Sequence, residues 1–282
     1  MARTHILLFI CILAGVLTAN AQQFICSSLD SADFKKRITQ IQELPETKGA
    51  DLLVSIGKTF LDTPYVAHTL DQGSKEELVI NFMGLDCTTF VENVLAFTLM
   101  HSEEENSLEQ FARQLTKIRY RDGVIHSYAS RLHYFTEWIA DNEEKGILKD
   151  VTKLLGGVLV EAPRTFMSTH REAYPLLADE DNFQGVIQTE AILKTRPYYV
   201  IPLSRLEVLE SNLREGDIIA FATKIKGLDV THTALAIKVE DRIHILHASS
   251  SGQVEISELP LLEYTKGIKN SNGLIVARLT PQ

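Results

Sequence analysis

The sequence lacks an apolar run long enough to cross a bilayer: its longest, Ile6 to Leu17, has 12 residues, where a spanning helix needs roughly 20. It also lacks a His/Cys/Asp/Glu cluster at metal-ligand spacing, a Gly-rich phosphate loop and internal repeats. No metal or organic cofactor is therefore expected, and no solenoid. Positive charge is short too, with 28 Lys and Arg against 37 Asp and Glu, a formal charge of −9. That balance disfavours nucleic acid and anionic lipid as partners. The densest acidic run, Glu103 to Glu105, reads as a solvated loop.

Cysteine is scarce, with three in 282 residues: Cys11, Cys26 and Cys87. Arg3, the apolar run and the small-residue motif Ala19-Asn20-Ala21 together read as a secretory signal peptide spanning residues 1–21. Cys26 follows Phe24-Ile25 rather than a small residue, so lipid anchoring is not expected. Removing the leader leaves 261 residues, enough for one elaborated domain over 22–282, with no membrane insertion. The expected location is exported and periplasmic. Two cysteines remain in a compartment that permits disulfides, but Cys26 sits close to the new terminus, so Cys87 is expected to be free.

The amino-terminal third reads as helical. Phe34, Ile38 and Ile41 recur at helical spacing, and a second apolar stretch runs from Leu52 to Phe60 toward Pro64. Further helices are expected after Cys87, over Ser107 to Ile118 with a Ser107/Gln110 cap, and over Leu132 to Glu144. From about residue 196 the texture changes to short β-rich runs: Tyr198 to Ile201, Asp217 to Ala222, Thr231 to Val239, Arg242 to Ala248 and Leu274 to Leu279. Helices first and strands afterward predict an α+β fold whose antiparallel sheet core spans 216–279. The intervening 101–215 reads as an insertion on the substrate side of a cleft.

Asp86-Cys87-Thr88-Thr89-Phe90-Val91 places a cysteine at the first turn of a helix, where unpaired N–H groups favour a thiolate. Asp86 pulls the other way and reads as the helix cap. His232 lies on a strand face with Ala234 and Ala236, small residues that let a helix pack closely; His247 shares a face with Ile243 and Ile245, while His244 points away. A two-residue loop at Val239-Glu240 would oppose His232 to His247, with Cβ atoms about 5 Å apart, and a loop at Glu240-Asp241 would make them diagonal neighbours. Either register supplies a base and an orienting group for the thiol, the arrangement of a cysteine hydrolase. A buried cysteine on an apolar helix is more often inert packing, and most of the nine histidines must be ordinary.

Thr63-Pro64-Tyr65, the segment around Cys87, Arg131-Leu132-His133-Tyr134, Gly216-Asp217-Ile218-Ile219, Thr231-His232-Thr233 and Leu246-His247-Ala248-Ser249 together resemble the exported peptidoglycan amidases of the NlpC-type papain-like superfamily. More narrowly, the chain resembles their N-acetylmuramoyl-L-alanine amidase-like branch in Bacteroides-type bacteria. The resemblance implies a papain-like fold with Cys87 as nucleophile, His232 as general base, His247 as third member and Tyr65 beside the thiol. Superfamily members often carry a Gly-Gly pair after that tyrosine; here Val66-Ala67-His68 follows, and a buried structural tyrosine is the other reading of Tyr65.

Arg131, Tyr134 and Trp138 are the substrate-binding candidates. They share one face if the segment is helical, Arg131 suited to a carboxylate and Trp138 to a sugar ring, although aromatics at this spacing are more often core. The implied partners are peptidoglycan fragments or muropeptides. The implied activity is cleavage between N-acetylmuramic acid and L-alanine. A γ-D-glutamyl-diamino acid endopeptidase is the alternative within enzymes, and a muropeptide-binding protein without turnover is the alternative outside them.

Overall fold

The amino-terminal helical periodicity builds one side of the molecule. In the computed structural model, which describes residues 23–45, 48–101 and 106–281, the chain runs through β1 (Phe24–Cys26), α1 (Ser28–Gln42), α2 (Gly49–Lys58), β2 (Leu78–Ile80), α3 (Cys87–His101) and α4 (Leu108–Arg119). The leader and the acidic run at 103–105 lie outside the described residues. Ser27 caps α1 by accepting the Asp30 amide, and Ser107 caps α4 by accepting the Gln110 amide. Each satisfies one of the orphan donors that a helix start exposes. Asp30 then takes the Phe82 amide at 2.7 Å, tying α1 to the loop that leads into α3.

The middle of the chain contributes α5 (Phe135–Glu144), β3 (Leu148–Asp150), β4 (Val158–Val160), α6 (Phe166–Thr169), α7 (Glu180–Lys194), β5 (Tyr198–Pro202) and α8 (Leu203–Leu209). The last part supplies β6 (Ile218–Thr223), β7 (Val230–Val239), β8 (Arg242–Ala248), β9 (Val254–Ile256), α9 (Leu261–Gly267) and β10 (Ser271–Leu279). These strands join in the order β4-β5-β10-β6-β7-β8-β9, antiparallel throughout, with β3 paired to the far end of β10. Separately, β1 and β2 form a parallel pair.

The sheet divides the core in two because strand side chains alternate between faces. On one face Ile218, Ala220, Leu235, Ile237, Leu246 and Ala248 pack with the apolar side of α3. On the other, Ile219, Phe221, Ala234, Ala236, Ile243 and Ile245 pack with Leu261 and Leu262 of α9. The small-residue face of β7 thus receives α9 and not α3.

Two charged side chains lie inside the α3 side. Arg119 and Glu92, 2% and 3% exposed, meet at 2.7 Å, and a second guanidinium nitrogen bonds the Val79 carbonyl at 2.7 Å. A buried pair is tolerable only when its remaining hydrogen-bonding groups are also satisfied, and the Val79 carbonyl serves that end.

The segment 101–215 is not an appendage to the sheet. Its α4 places Phe111, Leu115 and Ile118 in the main core, and its β3, β4 and β5 extend the sheet itself. The expected helix over Leu132 to Glu144 begins only at Phe135, so Arg131 precedes it and Tyr134 is its cap residue. Likewise α2 ends at Lys58, before Pro64, which instead enters an extended segment bridged to Gln253, while Tyr65 bridges Leu85.

Candidate active site

Asp86 sets the start of α3 by a reciprocal cap: its carboxylate accepts the Thr89 amide at 2.8 Å and its own amide donates to the Thr89 hydroxyl at 2.9 Å. Cys87 is consequently the first helical residue, where backbone N–H groups are least engaged. Its thiol lies near Thr88 and near Thr233 of β7. Burial first, then the Asp86 carboxylate, push the thiol above its ordinary value, and the two threonines oppose the rise.

The sheet parts near Thr233. The β7–β8 ladder runs from Val239 opposite Arg242 to Leu235 opposite Leu246 and stops. Beyond that point β7 stays paired with β6 through Thr233 and His232, whereas His247 and Ala248 pair with β9. A bulge helps to set this end. Pairing slips between Phe221–His232 and Ala222–Val230, leaving Thr231 as the extra residue and turning His232 away from the face that Val230 occupies.

His232 and His247 meet in this opening on the α9 side. The β7–β8 loop is Glu240-Asp241, so the two are diagonal neighbours, with His232 Nε2 2.8 Å from His247 Nδ1. The rings stand edge to face at 4.9 Å. Tyr264 of α9 covers both, its ring 5.3 Å from His247 and 6.4 Å from His232, and Phe221 lies 5.5 Å from His232.

Burial, then the neighbouring His247, push His232 down to about 3, and burial pushes His247 down to about 4 against the opposing pull of Glu255. Both imidazoles are therefore neutral at neutral pH and the thiol is protonated. A thiolate at Cys87 would therefore have to arise by proton transfer, since no standing ion pair holds one. His232 Nε2 is engaged with His247, so Nδ1 is the nitrogen left to act on a proton.

A cavity of about 260 Å³ opens on the thiol, lined by Tyr65, Asp71, Asp86, Cys87, Thr88 and Arg131 among others. Tyr65 is held by its amide on the Gly252 carbonyl, and burial, Cys87 and Asp86 all raise its phenol. Arg131 reaches the cavity but is already committed. One nitrogen bonds Asp71 at 2.8 Å and Glu76 at 3.0 Å, and Glu76 also accepts from Tyr120 at 2.7 Å. With two carboxylates already on the one guanidinium, the cavity favours hydrogen-bond donors over a further carboxylate. A larger depression of about 700 Å³, lined by Glu210, Arg214, Lys238 and Arg242, has no cysteine or histidine in its wall.

The other two binding candidates are core residues. Trp138 is 0% exposed and stacked on Phe135, while Tyr134 is 2% exposed with its hydroxyl on Glu190 at 2.7 Å. Neither has a face to offer a sugar. Cys26 and Cys87 are both free thiols. Among the described residues no helix is long and apolar enough to cross a membrane.

Sequence reasoning missed Tyr264, and the early end of the β7–β8 ladder has no sequence signal. Tyr264 sits on a helix of seven residues, too short for periodicity to mark.

The site thus holds a thiol at a helix start and a bonded histidine pair, with Tyr264 near both. A family model described as AmiA-like, N-acetylmuramoyl-L-alanine amidase-like, matches residues 55–273. The chain belongs to this amidase-like family. The matched stretch contains the thiol, both histidines, Tyr65 and Tyr264. A crystal structure of an N-acetylmuramoyl-L-alanine amidase from Bacteroides uniformis superposes with a TM-score of 0.77 at 37% identity, covering 82% of this chain and 99% of that one. A Bacteroides fragilis protein provisionally described as a xylanase gives 0.74 at 38% identity, covering 79% and 99%. A Legionella pneumophila protein at 23% identity and 0.66, covering 89% and 96%, shares the fold. A search of curated proteins finds no match.

Proposed function

We propose that this amidase-like protein is an exported, periplasmic cysteine hydrolase of peptidoglycan or muropeptides that cleaves the amide between N-acetylmuramic acid and L-alanine. The observation that carries the reading is the 2.8 Å bond between His232 Nε2 and His247 Nδ1, with Tyr264 packed on both rings and near Cys87. The family match and the Bacteroides uniformis amidase support the substrate class. We read the catalytic core as papain-like, of the NlpC type, on the order of its parts: a thiol opening a helix, then the base and its partner on adjacent strands.

In the proposed sequence His232 Nδ1 takes the thiol proton, and the sulfur attacks the lactyl carbonyl carbon. The Cys87 amide is placed to receive the developing oxyanion, because Asp86 is occupied with the Thr89 amide instead. One such donor contributes roughly 3 kcal/mol. Tyr65, on the wall of the same cavity, is a second donor to that oxygen. His232 returns the proton to the departing L-alanine nitrogen, leaving a thioester. Water, with His232 again as base, releases the muramic acid carboxylate.

The test incubates the protein and its Cys87→Ala variant with defined muropeptides and identifies fragments by mass spectrometry. Release of stem peptide beginning at L-alanine is the expected result. Cutting after D-glutamate would replace the reading with the endopeptidase, and equal activity of the variant would remove the thiol from the mechanism. Binding without turnover would make the protein a muropeptide carrier.

A further inference from the structure

The bonded histidine pair leaves one ring nitrogen unaccounted for. For a neutral His232 to take a proton at Nδ1, its own hydrogen must sit on Nε2 and be donated to His247 Nδ1 across the 2.8 Å contact. His247 Nδ1 is then an acceptor, and the hydrogen of that ring belongs on Nε2. His247 is 1% exposed, and its Nε2 has no hydrogen-bond partner among the described residues. A buried N–H in that condition favours the other tautomer, with the hydrogen on His247 Nδ1. His232 Nδ1 would then carry a hydrogen, and the base would be lost.

The sheet brings an acceptor to this nitrogen. Past the parting from β7, His247 pairs directly with Glu255 of β9, between the pairs Leu246–Ile256 and Ala248–Val254. Opposed residues of an antiparallel pair share a face, with Cβ atoms about 5 Å apart. Val254 and Ile256 pack with the core on the α3 side, so Glu255 between them projects to the α9 side, where His247 meets Tyr264. Glu255 is half-buried, and its carboxylate is in no hydrogen bond or ion pair among the described residues.

We propose that Glu255 is a positioning residue of the reaction centre, its carboxylate taking the His247 Nε2–H and so holding His232 in the tautomer that acts as base. This rests on the reading of His232 as the base. The bond is not closed as the chain stands, and contacts of this kind commonly tighten only when substrate is held. No proton needs to pass to Glu255. As the thiol proton moves to His232 Nδ1, the S–H electron pair stays on sulfur. The imidazolium that forms keeps its Nε2–H on His247, and the carboxylate faces the new positive charge through that ring.

The test reads the histidine tautomers by long-range nitrogen–proton NMR at neutral pH in the parent, Glu255→Leu and Glu255→Gln, beside kcat and KM for a defined muropeptide. The parent is expected to carry a hydrogen on His247 Nε2. Leucine, which keeps the bulk and removes the acceptor, should move it to Nδ1 and place one on His232 Nδ1. Its kcat should fall by about tenfold or more at unchanged KM, the equivalent of one hydrogen bond to a charged group. Glutamine, whose amide oxygen still accepts, should restore the tautomer and part of kcat. Thermal unfolding separates this from a loss of fold, and Glu255→Ala serves as the second lesion if leucine does not fold. A leucine variant that keeps the hydrogen on His247 Nε2 would overturn the assignment, whatever its kcat. The tautomer is read without substrate, so failure of the amidase reading shows itself separately, in the fragment analysis.

Discussion

His232 and His247 are joined nitrogen to nitrogen at 2.8 Å, although their strands have already ceased to pair at Leu235–Leu246. The side-chain bond continues where the backbone ladder ends. Because only one nitrogen of each ring takes part, the pair fixes which face of His232 is left for chemistry.

Replacing the base should cost more than replacing its partner. His232→Ala is expected to lower kcat by about 10²- to 10⁴-fold, the usual worth of a positioned acid–base group. His247→Ala should be milder, because it loosens the orientation of His232 without removing it. Steady-state hydrolysis of a defined muropeptide measures both, and the reverse order would exchange their assigned roles.

Tyr264 touches the pair through its ring, and that contact should matter more than its hydroxyl. Tyr264→Phe is expected to retain most activity, while Tyr264→Ala should reduce kcat and broaden the imidazole signals of His232 and His247 in NMR spectra. Equal loss in both variants would point to the hydroxyl instead.

Acid should unfold this protein earlier than its carboxylates alone predict. Burial lowers His133 and His232 to about 3 and His247 to about 4, whereas an unfolded histidine titrates near 6.5. Between those values the unfolded chain binds more protons than the folded one, so stability falls as pH falls. Their contribution is fully present above about pH 6.5 and is lost progressively toward pH 3 to 4, at up to about 1.4 kcal/mol per pH unit for each histidine. Urea midpoints from pH 7 to 4 in the parent and in His133→Phe, which removes one of the three, give the slopes; identical slopes would contradict the shift at His133.

The interior charges make a separate demand. Arg119→Met strands the Glu92 carboxylate among apolar residues and should cost about 3–5 kcal/mol in urea unfolding, whereas Arg119→Met with Glu92→Leu should recover most of it. A single variant close to the parent would show that Glu92 is neutral when its partner is absent.

Trp138 provides the contrast with a binding role. Trp138→Ala should lose about 3–5 kcal/mol of stability by cavity formation. With the folded fraction held equal, its KM should match that of the parent; a raised KM in a variant of unchanged stability would return it to the substrate side.

Much of the surroundings of Cys87 was legible because it rests on local rules. Asp86 caps α3 as its place before Cys87 implies, and period-two alternation puts His232 and His247 on one face. Both candidate registers kept that result, and the loop at Glu240-Asp241, with Glu240 at φ 52°, selects the diagonal one. Long-range pairing was not legible. The three-residue strands β3 and β4 are too short to show alternation, and they turn the middle of the chain into part of the sheet. Arg131 has the right chemistry for a substrate carboxylate, but Asp71 and Glu76, 60 and 55 residues away, already hold it. Trp138 has the aromatic face for a sugar, yet tertiary packing against Phe135 uses it.

The early end of the β7–β8 ladder also has a mechanical side. Strands β8 and β9 hang from the rest of the sheet by five residue pairs, from Val239–Arg242 to Leu235–Leu246, and fraying there moves His247 away from His232. Amide exchange at Leu235 and Leu246 reads how often those pairs open.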